Sequence, residues 1–167
     1  TDFYSFAAFF SRIGRKGQGI SAPISGGEEF VYASERSKDV LHPVTGATMT
    51  PTPLLGKPAN VPLEQDPRAV LADWVTSREN SFFPKVMANR VWADLMGRGI
   101  VDPVDDLRAT NPATNPELLD ALAANFRDNG YDLKKLIRTI ATSHVYGLGT
   151  ASKENNVGDV RNYSRHY

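Results

Sequence analysis

The chain predicts a mainly α fold, a small helical domain with a short β-hairpin or three-stranded β element near the N-terminal third. Three observations predict it. Apolar residues recur at a period near 3.6 in four segments, residues that start and stop helices bracket those segments, and short β-branched runs are confined to one region. The densest signal lies between Asn80 and Tyr146, where three well-marked helices enclose one conspicuously polar loop.

At the N-terminus, Asp2 is positioned to cap a short helix whose Phe3, Phe6, Ala7 and Phe10 share a face, and so many aromatics need a partner surface. Gly14 to Gly19 follows as a basic, glycine-rich turn with Arg12, Arg15 and Lys16 around it. It lacks the Gly-Lys-Ser/Thr ending and the preceding strand of a phosphate loop, so a solvated linker is favoured over a phosphate cradle. Phe30 to Ala33, Val40-Leu41 and Ala47 to Thr50 read as short strands, with a turn at Pro43-Val44-Thr45-Gly46. Pro51, Pro53, Pro58 and Pro62 then enforce an extended strap.

Asp66-Pro67 opens a helix running through Ser77, with Val70, Leu71, Trp74 and Val75 on its inner side. The next helix spans Ser81 to Met96, capped by Asn80 and stopped by Gly97, and Phe83, Met87, Val91 and Leu95 give it one apolar stripe. Asn115 or Thr114, followed by Pro116 and Glu117, starts a helix that carries Leu118, Leu119, Leu122, Ala123 and Phe126 up to Gly130. Asp132 caps the last helix, and Leu133, Leu136, Ile137, Ile140 and Ala141 form its apolar face. Three such faces require a shared core, with Val91, Leu122 and Ile137 inside it. The expected boundaries are 1–65, with a β-rich connector; 66–146, the helical domain; and 147–167, a polar tail.

Composition narrows the function classes. Lysine plus arginine equals aspartate plus glutamate at 19 each in 167 residues, which removes the footprint of a general nucleic-acid binder. Without cysteine there is no disulfide, thiolate metal site or covalent haem attachment in this stretch. No apolar run approaches the ~20 residues that span a bilayer. The chain opens at Thr1 inside a helical pattern, so it reads as an internal fragment of a longer protein.

Chemistry would sit most readily in the loop from Ile100 to Pro116, which holds Asp102, Asp105, Asp106, Arg108, Asn111 and Asn115 between two fixed helices. Asp105 and Asp106 are the candidate catalytic carboxylates, since a carboxyl pair with split pKa values can serve as acid and base in hydrolysis of a polymer such as a polysaccharide. Arg90, Arg98 and Arg108 nearby favour a different reading, an arginine–carboxylate network that fixes the loop. Asn89 and Arg90 sit in a mostly apolar helix, so at least one faces protein and draws its partners from the acidic loop. The spacing lacks the alternating pattern of a calcium loop, and His42, His144 and His166 have no second ligand at i+3 or i+4, so no metal or cofactor is expected here. His144 is placed at a helix end. Lys134, Lys135 and Arg138 after the Asn129-Gly130-Tyr131 turn imitate a helix-turn-helix, but no basic stripe accompanies them.

These residues carry a resemblance. Asn89-Arg90-Val91-Trp92, Gly97-Arg98-Gly99-Ile100-Val101, Pro103-Val104-Asp105-Asp106-Leu107-Arg108, Asn115-Pro116-Glu117-Leu118-Leu119-Asp120 and Gly130-Tyr131-Asp132-Leu133-Lys134 resemble the C-terminal domain of unknown function in large secreted, cytochrome-like planctomycete proteins. The front part, from Asp2 through the proline strap, resembles the tail of the preceding family domain plus its connector, and the ending at Arg161-Asn162-Tyr163-Ser164 is similar to the truncated start of the family's following segment, while the chain departs from the pattern at Leu107, at Ala113-Thr114 and at Gly147-Leu148-Gly149. The resemblance implies export, to the periplasm or beyond the cell, and a haem motif upstream of the region seen here. It supplies no catalytic residues. It favours a non-catalytic accessory or interaction domain, with neighbouring domains of the same polypeptide as partners, over the hydrolase.

Overall fold

The computed structural model describes residues 1–17, 29–34, 39–159 and 161–166, and the chain forms two compact units, Thr1–Ser77 and Arg78–Tyr167. It is mainly α, with five α-helices and one two-stranded antiparallel sheet among the described residues.

In the first unit, α1 (Asp2–Ala7) continues into a 3-10 turn, Ala8–Phe10, whose Ala8 and Phe9 are buried. Thr1 holds the N-cap position in place of the expected Asp2. Asp2 instead stands in the first turn, where a negative charge suits the helix dipole. β1 (Ile13–Gly17) pairs antiparallel with β2 (Glu29–Ala33), Ile13 lying opposite Ala33. The basic glycine turn expected at Gly14 to Gly19 is therefore a strand as far as Gly17, and residues 18–28 lie outside the described residues. Backbone groups committed to that ladder are unavailable to cradle a phosphate.

Leu41 and Thr48 form an isolated bridge across the Pro43 to Gly46 turn, where further strands were expected, so among the described residues the β element is two-stranded. Its second strand was legible, whereas its partner came from upstream. The proline strap is tied down by Arg12, whose Nη1 donates to the carbonyls of Pro62 at 2.6 Å and Gln65 at 3.2 Å. α2 (Pro67–Val75) starts as anticipated: Asp66 Oδ1 accepts the Arg68 N–H at 2.9 Å, Pro67 fills the first turn, and Leu71 is buried.

The second unit packs α3 (Phe82–Met96) against both α4 (Pro116–Asp128) and α5 (Leu133–Ala141). Ser81 holds the N-cap position of α3 and Asn80, one residue before it, supplies the side-chain acceptor, its Oδ1 taking the Phe82 N–H at 2.9 Å; Gly97 at φ 78° ends the helix in the left-handed region. Asn115 and Asp132 cap α4 and α5, accepting from Leu118 N at 2.9 Å and Lys135 N at 3.2 Å. The core comprises Ala88, Trp92, Met96, Ile100, Val101, Leu119, Leu122, Phe126, Leu136, Ile140 and Tyr163.

Two sequence expectations are corrected here. The fully buried stripe of α3 runs through Pro84, Ala88, Trp92 and Met96, one position round from the expected Phe83, Met87, Val91 and Leu95, which are half-buried flanks. Small Ala88 at the centre of the contact lets the neighbouring helices approach. Ile137 and Leu133 are also outside the core at 42% exposure each, because α5 presents only Leu136 and Ile140 inward. A nine-residue helix at one side of a small unit buries one narrow row of side chains, not a wide face.

Candidate functional site

The polar loop between α3 and α4 is organised from inside by Asn89. This residue is fully buried, and all of its amide is used: Nδ2 donates to the carbonyls of Val101 at 2.9 Å and Val104 at 2.8 Å, while Oδ1 accepts the Val101 N–H at 2.9 Å. An amide is suited to this because it offers donors and an acceptor on one planar group without bringing a charge into the core. Gly99 lies against it. A Cβ there would overlap the Val101 carbonyl oxygen and stand 3.1 Å from Asn89 Nδ2, so the approach of loop to helix requires glycine.

Other polar groups fasten the rest of the loop. Thr114 donates to the Ile100 carbonyl through both N–H, at 2.9 Å, and Oγ1, at 3.0 Å. Asn111 Nδ2 donates to the backbone oxygens of Asp106 at 2.9 Å and Asp102 at 3.3 Å. The Asp102–Pro103 peptide bond is cis.

The two candidate catalytic carboxylates are each closed onto their own guanidinium. Arg90 meets Asp105 through Nε at 2.7 Å and Nη2 at 2.9 Å, and Arg108 meets Asp106 through Nε at 2.5 Å and Nη2 at 2.6 Å. Hydrogen bonds from Arg90 and from Arg108 hold the Asp105 and Asp106 carboxyls below the usual carboxylate range, with the guanidinium charge adding to the effect. Arg98 Nε lies 3.4 Å from Asp102, an i,i+4 pair.

Of the Asn89-Arg90 pair, the amide is the buried partner and the guanidinium is exposed. The sequence expectation that the loop supplies their partners holds in kind, but Asn89 takes backbone groups, not carboxylates. An exposed pair that loses one partner leaves the other in water. Arg90→Ala is therefore expected to leave the thermal melt within the scatter of the parent protein, and a drop as large as that of a core truncation would overturn the assignment.

The C-terminal stretch contributes a second anchoring, unannounced by its composition. Asp159 Oδ1 accepts the N–H groups of Arg161 at 3.0 Å and Asn162 at 2.8 Å, and Oδ2 accepts Ser164 N–H at 3.0 Å. This turn delivers Tyr163 into the core, 6% exposed, edge-on to Trp92 with ring centroids 5.2 Å apart. Its hydroxyl donates to the Gly99 carbonyl at 2.6 Å. His166 Nε2, 3.0 Å from the Leu95 carbonyl, carries the proton, since a carbonyl can only accept. The segment is irregular, with Tyr163 buried, and Tyr167 lies outside the described residues. The one signal for it in sequence was an Asp followed by Asn and Ser at turn spacing.

Hydrogen bonds from Ser164, Asn162 and Arg161 depress the Asp159 pKa strongly. A carboxyl with a folded pKa below its unfolded one adds stability that is present above the unfolded value, near 4, and is lost as pH falls through the folded value. Lowering the pH below about 4 should thus destabilise the parent protein, and Asp159→Asn should flatten that acid limb in melts taken between pH 2 and 7. An unchanged limb in the variant would refute the role.

The histidines stay apart. His42 Nδ1 accepts weakly from Thr45 N at 3.3 Å, and His144 is exposed beyond the end of α5 instead of at it. Among the described residues no group of three His, Cys, Asp or Glu could hold a metal ion, and no helix is long and apolar enough to cross a membrane.

Fold and site together define a small helical module whose polar side chains are spent on fixing one loop against three helices. The chain belongs to the PSD1 family, described as a protein of unknown function (DUF1553), whose model matches residues 67–166. No curated protein matches the chain significantly. No solved structure does either.

Proposed function

We propose that the chain is a non-catalytic accessory or interaction domain of an exported, haem-containing multidomain protein of the planctomycete type. It presents the outer face of the α3–α4 loop to neighbouring domains of the same polypeptide. What supports this reading is the closure of Asp105 and Asp106 onto Arg90 and Arg108. A general acid needs a pKa raised toward the working pH, and both carboxyls are shifted the opposite way, so neither holds a proton to give near neutrality. Tyr163 is buried, whereas the Arg90–Asp105 and Arg108–Asp106 pairs of the loop are exposed and within reach of a partner.

The test compares the multidomain protein proposed here with this 167-residue chain. A haem Soret band is expected in the former and not in the latter. Incubation of either with polysaccharides should release no new reducing ends. Turnover abolished by Asp105→Asn or Asp106→Asn would replace the accessory domain with the hydrolase, and a stable haem reconstituted on this chain alone through His42, His144 or His166 would also sink the reading.

A further inference from the structure

A cavity of ≈ 350 Å³ opens in the second unit between α3, α4, α5 and the C-terminal segment, away from the Arg90–Asp105 face. Trp92, Leu118, Leu122 and Ile140 form its walls, and Val145 and Tyr163 extend them. Its volume falls at the lower end of the range for small-molecule sites, which are mostly apolar with a few placed polar groups. Among the described residues no Asp, Glu, Lys, Arg or His lines it, and the Tyr163 hydroxyl is committed to the Gly99 carbonyl. Such walls reject a charged ligand, because nothing in them repays its lost hydration.

The mouth is polar in a specific way. Asn115 uses Oδ1 to cap α4, and its Nδ2 has no partner among the described residues. Asn162 is the converse: Nδ2 donates to Asp159 at 3.1 Å, and Oδ1 has no partner among the described residues. Thr139 and Ser143, also on the lining, send their hydroxyl hydrogens back to the Lys135 and Ile140 carbonyls, so their oxygens can only accept, and Ser143 Oγ already accepts the Tyr146 N–H at 3.4 Å. Among the described residues the lining thus carries two donors without a partner, Asn115 Nδ2 and the buried Trp92 Nε1, together with acceptors on Asn162 and Thr139, on walls that are otherwise apolar.

We propose that this cavity binds a small uncharged molecule, an apolar ring bearing a group that both accepts and donates a hydrogen bond, such as a carboxamide or a hydroxyl. Asn115 Nδ2 donates to its oxygen, Asn162 Oδ1 accepts its hydrogen, and the ring lies among Trp92, Leu118, Leu122 and Ile140. The inference is independent of the accessory role proposed above.

Benzamide is the probe and benzoate its charged counterpart of the same shape. In ¹H–¹⁵N spectra of the 167-residue chain, the Trp92 indole signal, distinguished from that of Trp74 by Trp74→Phe, should move saturably with benzamide. A ligand this small binds with a Kd of about a millimolar, and benzoate should bind at least roughly tenfold more weakly. Asn115→Asp keeps a good cap while replacing the donor with a charge, so it should abolish the benzamide shift with the fold intact. Thr139→Phe, filling the cavity from an exposed position, should do the same. The proposal is overturned by the absence of a saturable Trp92 shift, by benzoate binding as well as benzamide, or by shifts that persist undiminished in both variants.

Discussion

Asn89→Ala should lower the stability of the second unit by about 3 kcal/mol or more, the largest loss expected from any single polar substitution here. The change removes three hydrogen bonds and leaves the Val101 N–H and the Val101 and Val104 carbonyls without their partner in and beside the core. Because the site is fully buried, water cannot replace the amide without opening the loop. For a unit of this size the loss corresponds to a melting midpoint roughly 12–24 °C lower, read by circular dichroism. Asn89→Asp should be no milder, since it turns a carboxylate toward two carbonyl oxygens. A midpoint within about 3 °C of the parent would mean that the loop holds itself in place.

Tyr163→Ala should cost about 3–5 kcal/mol, the range for truncating a buried aromatic. The side chain fills the space against Trp92 and reaches the Gly99 carbonyl, so both the wall of the core and the fastening of the Gly97–Val101 turn are lost together. Tyr163 also holds φ 52°, a left-handed conformation that a non-glycine residue adopts only where its contacts repay the strain. Tyr163→Phe separates the two contributions, keeping the ring and removing the hydroxyl, and should cost about 1–2 kcal/mol. Urea unfolding followed by Trp92 fluorescence in a Trp74→Phe background measures both. If Tyr163→Ala unfolds at the parent's midpoint, the C-terminal segment is not part of the core.

The helices were legible because their signals are local. A cap, a proline in the first turn and a glycine past the last turn act over four or five residues, and Asn80, Asp66, Asn115 and Asp132 accept backbone N–H groups where the sequence puts them. The candidate loop was legible as a polar stretch between two strong helices, and its arginine–carboxylate pairing followed from charge and proximity. The partner of β2 was not legible, because strand pairing joins segments that no short-range pattern links. Nor was the role of Tyr163, one of two tyrosines in a polar tail, which acquires meaning only beside Trp92.

By itself the sequence determined a mainly α chain, the position of most of its caps, a short β element near the N-terminal third, and a polar loop between two strong helices. Those properties depend on residue type and on spacing within one or two turns. Only the tertiary structure decided which row of α3 faces inward, that Asn89 and not Arg90 is the buried anchor, and that Asp105 and Asp106 are each closed by a separate arginine. Burial is a property of the assembled unit. Two neighbours as alike in polarity as Asn89 and Arg90 differ by one helical step of about 100°, and the packing of α4, α5 and Tyr163 fixes which of them water can still reach.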